Sequence, residues 1–472
     1  MTPRDVPILV IDGDPRPELA RRGVVLHPSV GALPLPVREP VAVRAVHVES
    51  ALAGSDVVTG MTGDLHRRAL AHVGAARRVR EWVGVALEAA RDAVAEADDA
   101  VRPMRGGEPA PPLRLAGQLW PLVERGGPAS GPDFAVASAE HRVHAGTLAD
   151  AGVELLRIEG METVGESEAA TLAARETGLE TWTSVVLQAD GVTLASGEPL
   201  ATWLSVVVPL APAALILEVA TWEGAAAGLT DAGRLLRSLD PSGAVALGVA
   251  LPPGEPASPS TDRDGTEANV GAPRDMALID AGATILSAGA DGSPRRVASL
   301  RAAVDRAEET RRRGLDERRD RLAVWAGQAA RRSLPGPAVW VVSRSSDADQ
   351  PGAGLPGGSM ARHPVQRPGS SLSGALPLPG GFEWDVVDGR TLGRLPGGRY
   401  RLGIVAAEDD VAGPVLAARI RQAVDALEPG AWLLVEGTDA AAALRADERL
   451  ADLEPADPSE SGTPTWLARR RP

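Results

Sequence analysis

The chain has 472 residues, enough for two domains, and its 44% hydrophobic and 24% charged residues are ordinary for a soluble globular protein. The formal charge of −14 argues against nucleic acid or an acidic membrane surface as a partner. The absence of cysteine excludes disulfides and thiolate metal ligands.

The sequence near the N-terminus lacks the basic-then-apolar pattern of a signal peptide. No apolar run approaches the roughly 18 residues that a membrane-spanning helix needs. We therefore expect a cytoplasmic protein without a membrane partner.

Short apolar runs alternate with segments of helical periodicity up to about residue 310. The predicted strands are 8–11, 56–59, 113–116, 154–158, 182–187, 213–217, 244–249 and 283–286, and the predicted helices include 78–97, 137–151, 165–177, 231–239 and 294–306. Near-continuous apolar runs are typical of parallel strands that are buried on both faces. The pattern predicts an α/β fold, a (β/α)8 TIM barrel over residues 1–310. An open doubly wound sheet is disfavoured because no Gly-x-Gly-x-x-Gly follows the first strand.

The rest of the chain predicts a loop, a linker and a smaller domain. Residues 252–273 are rich in Pro, Ser, Asp and Gly, which indicates a loop above the barrel. A polar helix that ends near residue 333 supplies a helical linker over 311–334. Residues 335–472 predict a small α/β domain with strands at 339–342, 384–387, 400–405, 432–436 and 465–468 and a helix at 412–427.

Several short motifs follow one another in a recognisable order. Asp12-Gly13-Asp14 is followed by Glu-Leu-Ala-Arg-Arg-Gly at 18–23. The segment 148–159 ends in Glu159, and Trp182-Thr-Ser184 opens the fifth predicted strand. The segment 281–294 covers the last predicted strand and ends in Gly-Ala-Asp-Gly-Ser-Pro. Together these motifs resemble the homocysteine S-methyltransferase family over about residues 5–310.

The resemblance implies a zinc site that this chain lacks. Members of the family methylate the sulfur of homocysteine, and three cysteines hold the zinc that presents the thiolate. Two cysteines would fall at Gly289 and Ala290, and the third would fall near Val219. Because all three are absent, zinc is not expected and zinc-thiolate methylation is predicted to be lost.

The resemblance also implies a substrate site formed by Asp12, Gly13, Glu159 and Ser184. In the family pattern, Asp12 and Glu159 would hold the amino group of an amino-acid substrate. They follow the first and fourth predicted strands, at the end of a barrel where active sites are built. Alternatively, the two carboxylates cap helices or pair with an arginine such as Arg157.

Three acidic residues near the lost zinc positions are candidates for a substitute metal site. Glu218, Asp291 and Glu223 are carboxylates, which suit hard cations better than zinc. An ion pair between Glu218 and an arginine is the favoured alternative.

The histidines are candidates for metal ligands and the tryptophans for an aromatic pocket, but both kinds of residue also pack in protein cores. His27, His47, His141 and His144 lack metal spacing, and the last two lie on a helix outside the predicted barrel, so a packing or surface role is favoured. Trp120, Trp182 and Trp222 lie near strand ends. They could line an aromatic pocket for a cationic methyl donor, but filling the core is the favoured role.

The segments 427–436 and 462–469 resemble the second half of an S-adenosylmethionine-dependent methyltransferase. The glycine-rich loop that would bind that cofactor does not follow 339–343, so packing or dimerisation is favoured over a second catalytic site. S-adenosylmethionine is therefore a disfavoured cofactor candidate, and no cofactor is assigned.

The sequence predicts two alternative functions for the barrel. In the first, the barrel binds a sulfur amino acid or a related small molecule, or transfers a methyl group to it, without the tri-cysteine zinc site. In the second, it is a catalytically inactive barrel that binds a small molecule or a partner protein. A small-molecule ligand is expected in the first case, and a homo-oligomer is compatible with both.

Overall fold

The computed structural model of the chain contains a closed eight-stranded barrel and a separate six-stranded sheet. It describes residues 7–26, 34–99, 111–122, 132–240, 242–251, 272–332, 336–343, 382–388, 397–407, 413–436, 440–455 and 465–471. These belong to two units, Val6–Glu309 and one that includes Thr310–Pro472, and each is described by itself.

The barrel strands are all parallel and follow chain order, with β1 pairing with both β2 and β8. They are β1 (Leu9–Ile11), β2 (Val57–Thr59), β3 (Arg114–Leu119), β4 (Leu155–Met161), β5 (Glu180–Leu187), β6 (Ala214–Val219), β7 (Ala246–Ala250) and β8 (Ile285–Ser287). The predicted (β/α)8 barrel and its eight strands are confirmed. Every residue of β2 and β8 is buried, which explains why two of the three residues in each strand are aliphatic.

The helices that begin in this unit follow its strands in sequence, and the last of them continues past Glu309. They are α1 (Arg16–Arg21), α2 (Leu35–Arg38), α3 (Pro40–Leu52), α4 (Arg67–Ala71), α5 (Val79–Asp99), α6 (Phe134–Asp150), α7 (Val164–Arg175), α8 (Leu200–Val207), α9 (Trp222–Leu239), α10 (Ala272–Asp280) and α11 (Pro294–Arg332). Helix α9 begins at Trp222 rather than at residue 231. Its first half was missed because three of the four positions buried there are small residues, Gly224, Ala225 and Gly228. Helix α8 was not predicted, because its sequence Leu-Ala-Thr-Trp-Leu-Ser-Val-Val is apolar on most sides. The predicted loop 252–273 lies mostly outside the described residues.

Hydroxyl side chains fix the points at which two helices begin. Thr163 accepts a hydrogen bond from the Glu166 N–H at 3.2 Å, and Thr221 accepts one from the Gly224 N–H at 3.1 Å. Each hydroxyl satisfies a backbone donor that has no partner within the first turn of its helix. These caps set the path of the chain just after β4 and β6, where the site described below is built.

The barrel interior is filled by side chains from the strands themselves. The cluster consists of Ile11, Val57, Ala116, Leu155, Trp182, Ala214, Ile216 and Ile285. The predicted role of Trp182 in filling the core is confirmed, since this side chain is only 2% exposed. This layer makes the barrel a packed core rather than a channel, so a ligand has room only above it, at one end.

The second unit contains a mixed sheet with the strand order β10-β9-β11-β12-β14-β13. Its elements are β9 (Gly336–Ser343), β10 (Phe382–Asp388), β11 (Tyr400–Ala407), α12 (Gly413–Ala426), β12 (Leu427–Glu436), α13 (Ala440–Arg445), β13 (Leu450–Pro455) and β14 (Thr465–Arg470). Strand β14 is antiparallel to both of its neighbours, whereas β9 to β12 pair in parallel. The five predicted strands and the helix are present, and α13 and β13 were missed. Within the described parts of the chain, no helix has the length and apolarity needed to cross a bilayer.

The barrel core gives a first testable prediction. Leu204 on α8 is fully buried, whereas Leu52 on α3 is 54% exposed. We expect Leu204→Ala to lower the free energy of unfolding by about 2–5 kcal/mol, because it leaves a cavity beside the barrel. The matched control Leu52→Ala should change it by less than about 0.5 kcal/mol. Urea unfolding followed by tryptophan fluorescence measures both, and equal effects would contradict the packing described here.

Candidate ligand-binding site at the barrel mouth

A pocket of about 680 Å³ lies at the carboxyl ends of the barrel strands. Its wall includes Gln118 from β3, Glu159 from β4, Ser184 from β5 and Glu218 from β6. Loops that follow β1 and β2 supply further lining residues. Barrel active sites occupy this end of the fold, and the volume is within the roughly 300–1,000 Å³ of small-molecule sites.

Asp12 lies at the end of β1 but is only 2% exposed and is not part of the wall described for this pocket. Its carboxylate accepts hydrogen bonds from the Thr59 N–H at 2.8 Å and the Thr59 hydroxyl at 2.6 Å. It also accepts one from Nη1 of Arg157 at 3.3 Å. Asp12 therefore joins the ends of β1, β2 and β4.

The guanidinium of Arg157 lies between the two carboxylates that the family resemblance assigned to a substrate. Nη1 contacts Asp12 and the Thr59 hydroxyl, and Nη2 is paired with Glu159. Arg157 is 4% exposed. Both carboxylates are therefore paired with Arg157, as in the alternative drawn from the sequence.

Burial and charge act in opposite directions on Asp12. Burial raises the pKa of Asp12 to about 6, although Arg157 and the Thr59 hydrogen bonds lower it. His47 lies 3.9 Å away, and burial lowers the pKa of His47 to about 4. At neutral pH the cluster therefore contains a carboxylate beside a neutral imidazole, and the positive charge next to Asp12 comes from Arg157.

Glu159 does line the pocket, with its side chain 18% exposed. One carboxylate oxygen is paired with Arg157, and the other accepts a hydrogen bond from the Gln118 amide. Gln118 was missed in the sequence. The one available signal was a polar residue near the end of an otherwise apolar strand.

Ser184 and Glu218 form a second polar group on the pocket wall. The Ser184 hydroxyl and the Gly160 N–H both donate to Oε1 of Glu218, the latter at 2.6 Å. These two hydrogen bonds join β4, β5 and β6 through the Glu218 carboxylate. The ion pair of Glu218 with an arginine stays a prediction.

The lost zinc-ligand positions are Gly289, Ala290 and Val219, and all three line this pocket. None has a side chain that can donate to a metal. Gly289 has a φ of +63°, and a Cβ at this position would lie 2.3 Å from the Leu251 carbonyl oxygen. A cysteine does not fit this backbone, so the residues present do not fit a zinc ion.

The substitute carboxylate site is not formed either. Asp291 is paired with Arg21 at 2.8 Å. Among the described residues, no group of three or more His, Cys, Asp or Glu side chains is placed to hold a metal ion. The proposed metal-ligand role of Glu218, Asp291 and Glu223 is therefore withdrawn.

Gly13 allows the loops after β1 and β8 to approach each other closely. A Cβ at Gly13 would lie 2.3 Å from the Gly289 carbonyl oxygen. The following residue, Asp14, donates its N–H to the same oxygen at 2.9 Å. Gly13 thus lines the pocket with backbone and offers no side chain to a ligand.

Trp120 is the one residue of the three considered tryptophans that appears on the described pocket wall. The guanidinium of Arg16 lies over its ring, 4.2 Å from the centroid, and is itself paired with Asp14 at 2.9 Å. Gly63 also packs against the ring, since a Cβ there would lie 2.4 Å from it. The aromatic surface is therefore already in contact with a cation of this chain.

Histidines are packed behind one side of the pocket. His141 and His144 are 1% and 3% exposed, so of the two predicted roles they have the packing role and not the surface role. His144 contacts the Thr62 carbonyl oxygen at 3.1 Å, and its ring is 6.0 Å from that of His66. His66, which was missed in the sequence, caps α4 by accepting from the Ala69 N–H. Burial lowers the pKa of His66 to about 4 and that of His144 to about 3.

The fold is a TIM barrel with a pocket at the carboxyl ends of its strands. The family model described as homocysteine S-methyltransferase matches residues 9–304, and the chain belongs to this family. The resemblance inferred from the sequence motifs is thus confirmed. No curated protein matches the chain.

Solved structures agree with the fold. The chain is similar to the oxidized form of the homocysteine methyltransferase MmuM from Escherichia coli, at 23% identity over 62% of this chain and 95% of that one, with a TM-score of 0.51. For the metallated form of the same protein the identity is 23%, the coverage is 62% and 96%, and the TM-score is 0.50.

The buried histidines give a prediction about pH. The pKa of His144 is about 3 in the folded protein and rises to its ordinary 6.5 on unfolding, so its contribution to stability is complete above pH 6.5 and is lost as the pH falls. Between pH 7 and pH 5 this loss is about 2 kcal/mol. We expect the free energy of unfolding of His144→Gln to fall less than that of wild type between pH 7 and pH 5, by this amount.

The exposed His72 provides the matched control, since His72→Gln should leave the pH profile of wild type unchanged. Urea unfolding at pH 5, 6 and 7 measures the profiles. Parallel profiles for wild type and His144→Gln would contradict a neutral, buried His144.

Proposed function

We propose that this barrel binds a small molecule in the pocket at its mouth and does not methylate a thiol through zinc. The observation that carries the proposal is the combination of a retained pocket with zinc positions that cannot hold zinc. The polar wall from Gln118, Glu159, Ser184 and Glu218 persists, whereas Gly289 leaves no room for a cysteine side chain.

The pocket wall offers both polar and apolar contacts to a ligand. Leu35, Val73 and Leu122 line it beside the polar groups. Small-molecule sites combine an apolar lining with a few placed polar groups that fix orientation. These features support a ligand with an apolar part and a hydrogen-bonding part.

Methyl transfer to a sulfur amino acid is the second candidate, and membership of the family favours it. A free thiol has a pKa of about 8.5 and is a weak nucleophile until it is deprotonated. Without zinc, a base of this chain would have to take that proton. Glu218 is the carboxylate that lies next to the lost third ligand position, and it would have this role.

Binding and catalysis are separated by one set of experiments. We expect purified protein to contain no stoichiometric zinc and to show no homocysteine methylation with sulfonium, betaine or methylfolate donors. A panel of small thioethers, hydroxy acids and amino acids is then screened by thermal shift and calorimetry, and at least one member should bind. Stoichiometric zinc together with turnover would overturn the proposal.

A matched pair of variants locates the binding. Glu218→Gln should weaken binding of the best panel member about tenfold, because a charged hydrogen-bond acceptor is lost from the wall. Glu81→Gln makes the same change on the exposed surface of α5 and should leave affinity unchanged. Equal affinities for both variants would place the ligand elsewhere.

A further inference from the structure

Two features of this pocket have the chemistry of a cation site. The carboxylates of Glu159 on the pocket wall and of the buried Asp12 both contact the guanidinium of Arg157, which also lines the pocket. Near the rim, the ring of Trp120 presents a π face, which attracts cations electrostatically. Either feature would suit an ammonium or sulfonium group of a ligand.

Each feature already holds a guanidinium of this chain. Arg157 pairs with both Asp12 and Glu159, and Arg16 lies over Trp120. The second oxygen of Glu159 is engaged by Gln118.

Arg157 is held in place by its strand. It belongs to β4, and its side chain is on the same side of that strand as Leu155, which fills the barrel interior. A free cation would have to displace a group that is always present at high local concentration. Displacement would also leave the arginine buried without its partners, which is costly.

We propose that Arg157 and Arg16 occupy the two cation subsites of this pocket, so that it binds a small molecule without a positively charged group and excludes α-ammonium and sulfonium ligands. This inference rests on the proposed binding function and specifies the class of ligand. The pocket thus differs from one that recognises an amino acid by its ammonium group.

The test removes the internal cation and offers small replacements. We expect Arg157→Ala to have a lower melting temperature than wild type, and millimolar methylguanidinium should partly restore it. We also expect this variant to bind methylammonium at least about tenfold more tightly than wild type does. Arg157→Lys keeps a positive charge in place. It should therefore show neither the restored melting temperature with methylguanidinium nor the tighter binding of methylammonium. Arg80→Ala removes an exposed arginine, 81% accessible, and controls for general salt effects.

A second variant guards against misfolding, because Arg157→Ala leaves two carboxylates facing each other. Asp12→Asn/Arg157→Ala keeps only Glu159 charged and should still gain affinity for methylammonium over wild type. If neither variant responds to methylguanidinium or methylammonium, the subsite assignment is wrong.

Wild-type protein is tested with a matched pair of probes, methionine and its amine-free analogue 4-(methylsulfanyl)butanoate. The inference expects the amine-free probe to bind more tightly, and preference for methionine would overturn it. Arg16→Ala should bind tetramethylammonium more tightly than wild type does. An unchanged affinity would contradict the assignment of a cation subsite to Trp120. If wild type binds no panel member at all, the proposed function fails. The methylammonium affinity of Arg157→Ala does not depend on that result and tests the subsite assignment by itself.

Discussion

The ion cluster at the end of β4 is the interaction on which the barrel mouth depends. Arg157 is almost completely buried and is paired with both Asp12 and Glu159. Removing one member of such a cluster typically costs about 3–5 kcal/mol, because a charge is left buried without a partner. The cluster also joins β1, β2 and β4 through Thr59, so the shape of the pocket floor follows from charge pairing as much as from apolar packing.

The zinc site is lost through the backbone as well as through the side chains. At Gly289 the chain has a positive φ and passes so close to Leu251 that a Cβ would collide with its carbonyl oxygen. The loop after β1 packs against the same segment at Gly13. Because interiors are close-packed, these contacts leave no space for a cysteine side chain at Gly289. The chain thus has the barrel of the family without a zinc ligand at the three positions where the resemblance placed them.

The fold was predictable from the sequence because most residues of the barrel strands are buried, so that the strands are rich in short apolar runs. The position of Glu159 and Ser184 at the mouth followed from the motifs. Pairing of Glu159 with Arg157 was one of the alternatives that the sequence offered. Its contact with Gln118 was not foreseen, since that contact depends on the register of neighbouring strands. The choice of Arg157 as the partner had one further signal. Strand alternation places it on the same face as Leu155 and Glu159, which is the interior face of the barrel.

A cation supplied by a strand differs physically from a cation supplied by a ligand. A ligand ammonium loses translational and rotational freedom on binding, whereas Arg157 is ordered already when the barrel folds. The ion pairs of both carboxylates with Arg157 therefore form when the barrel folds, at no cost to any later binding event, and they become part of the scaffold. Polar recognition is left to wall groups such as Ser184 and Glu218, which are joined to each other by a hydrogen bond. One residue on a rigid strand is thus sufficient to convert a charge-recognition subsite into a structural element, while the pocket above it stays open.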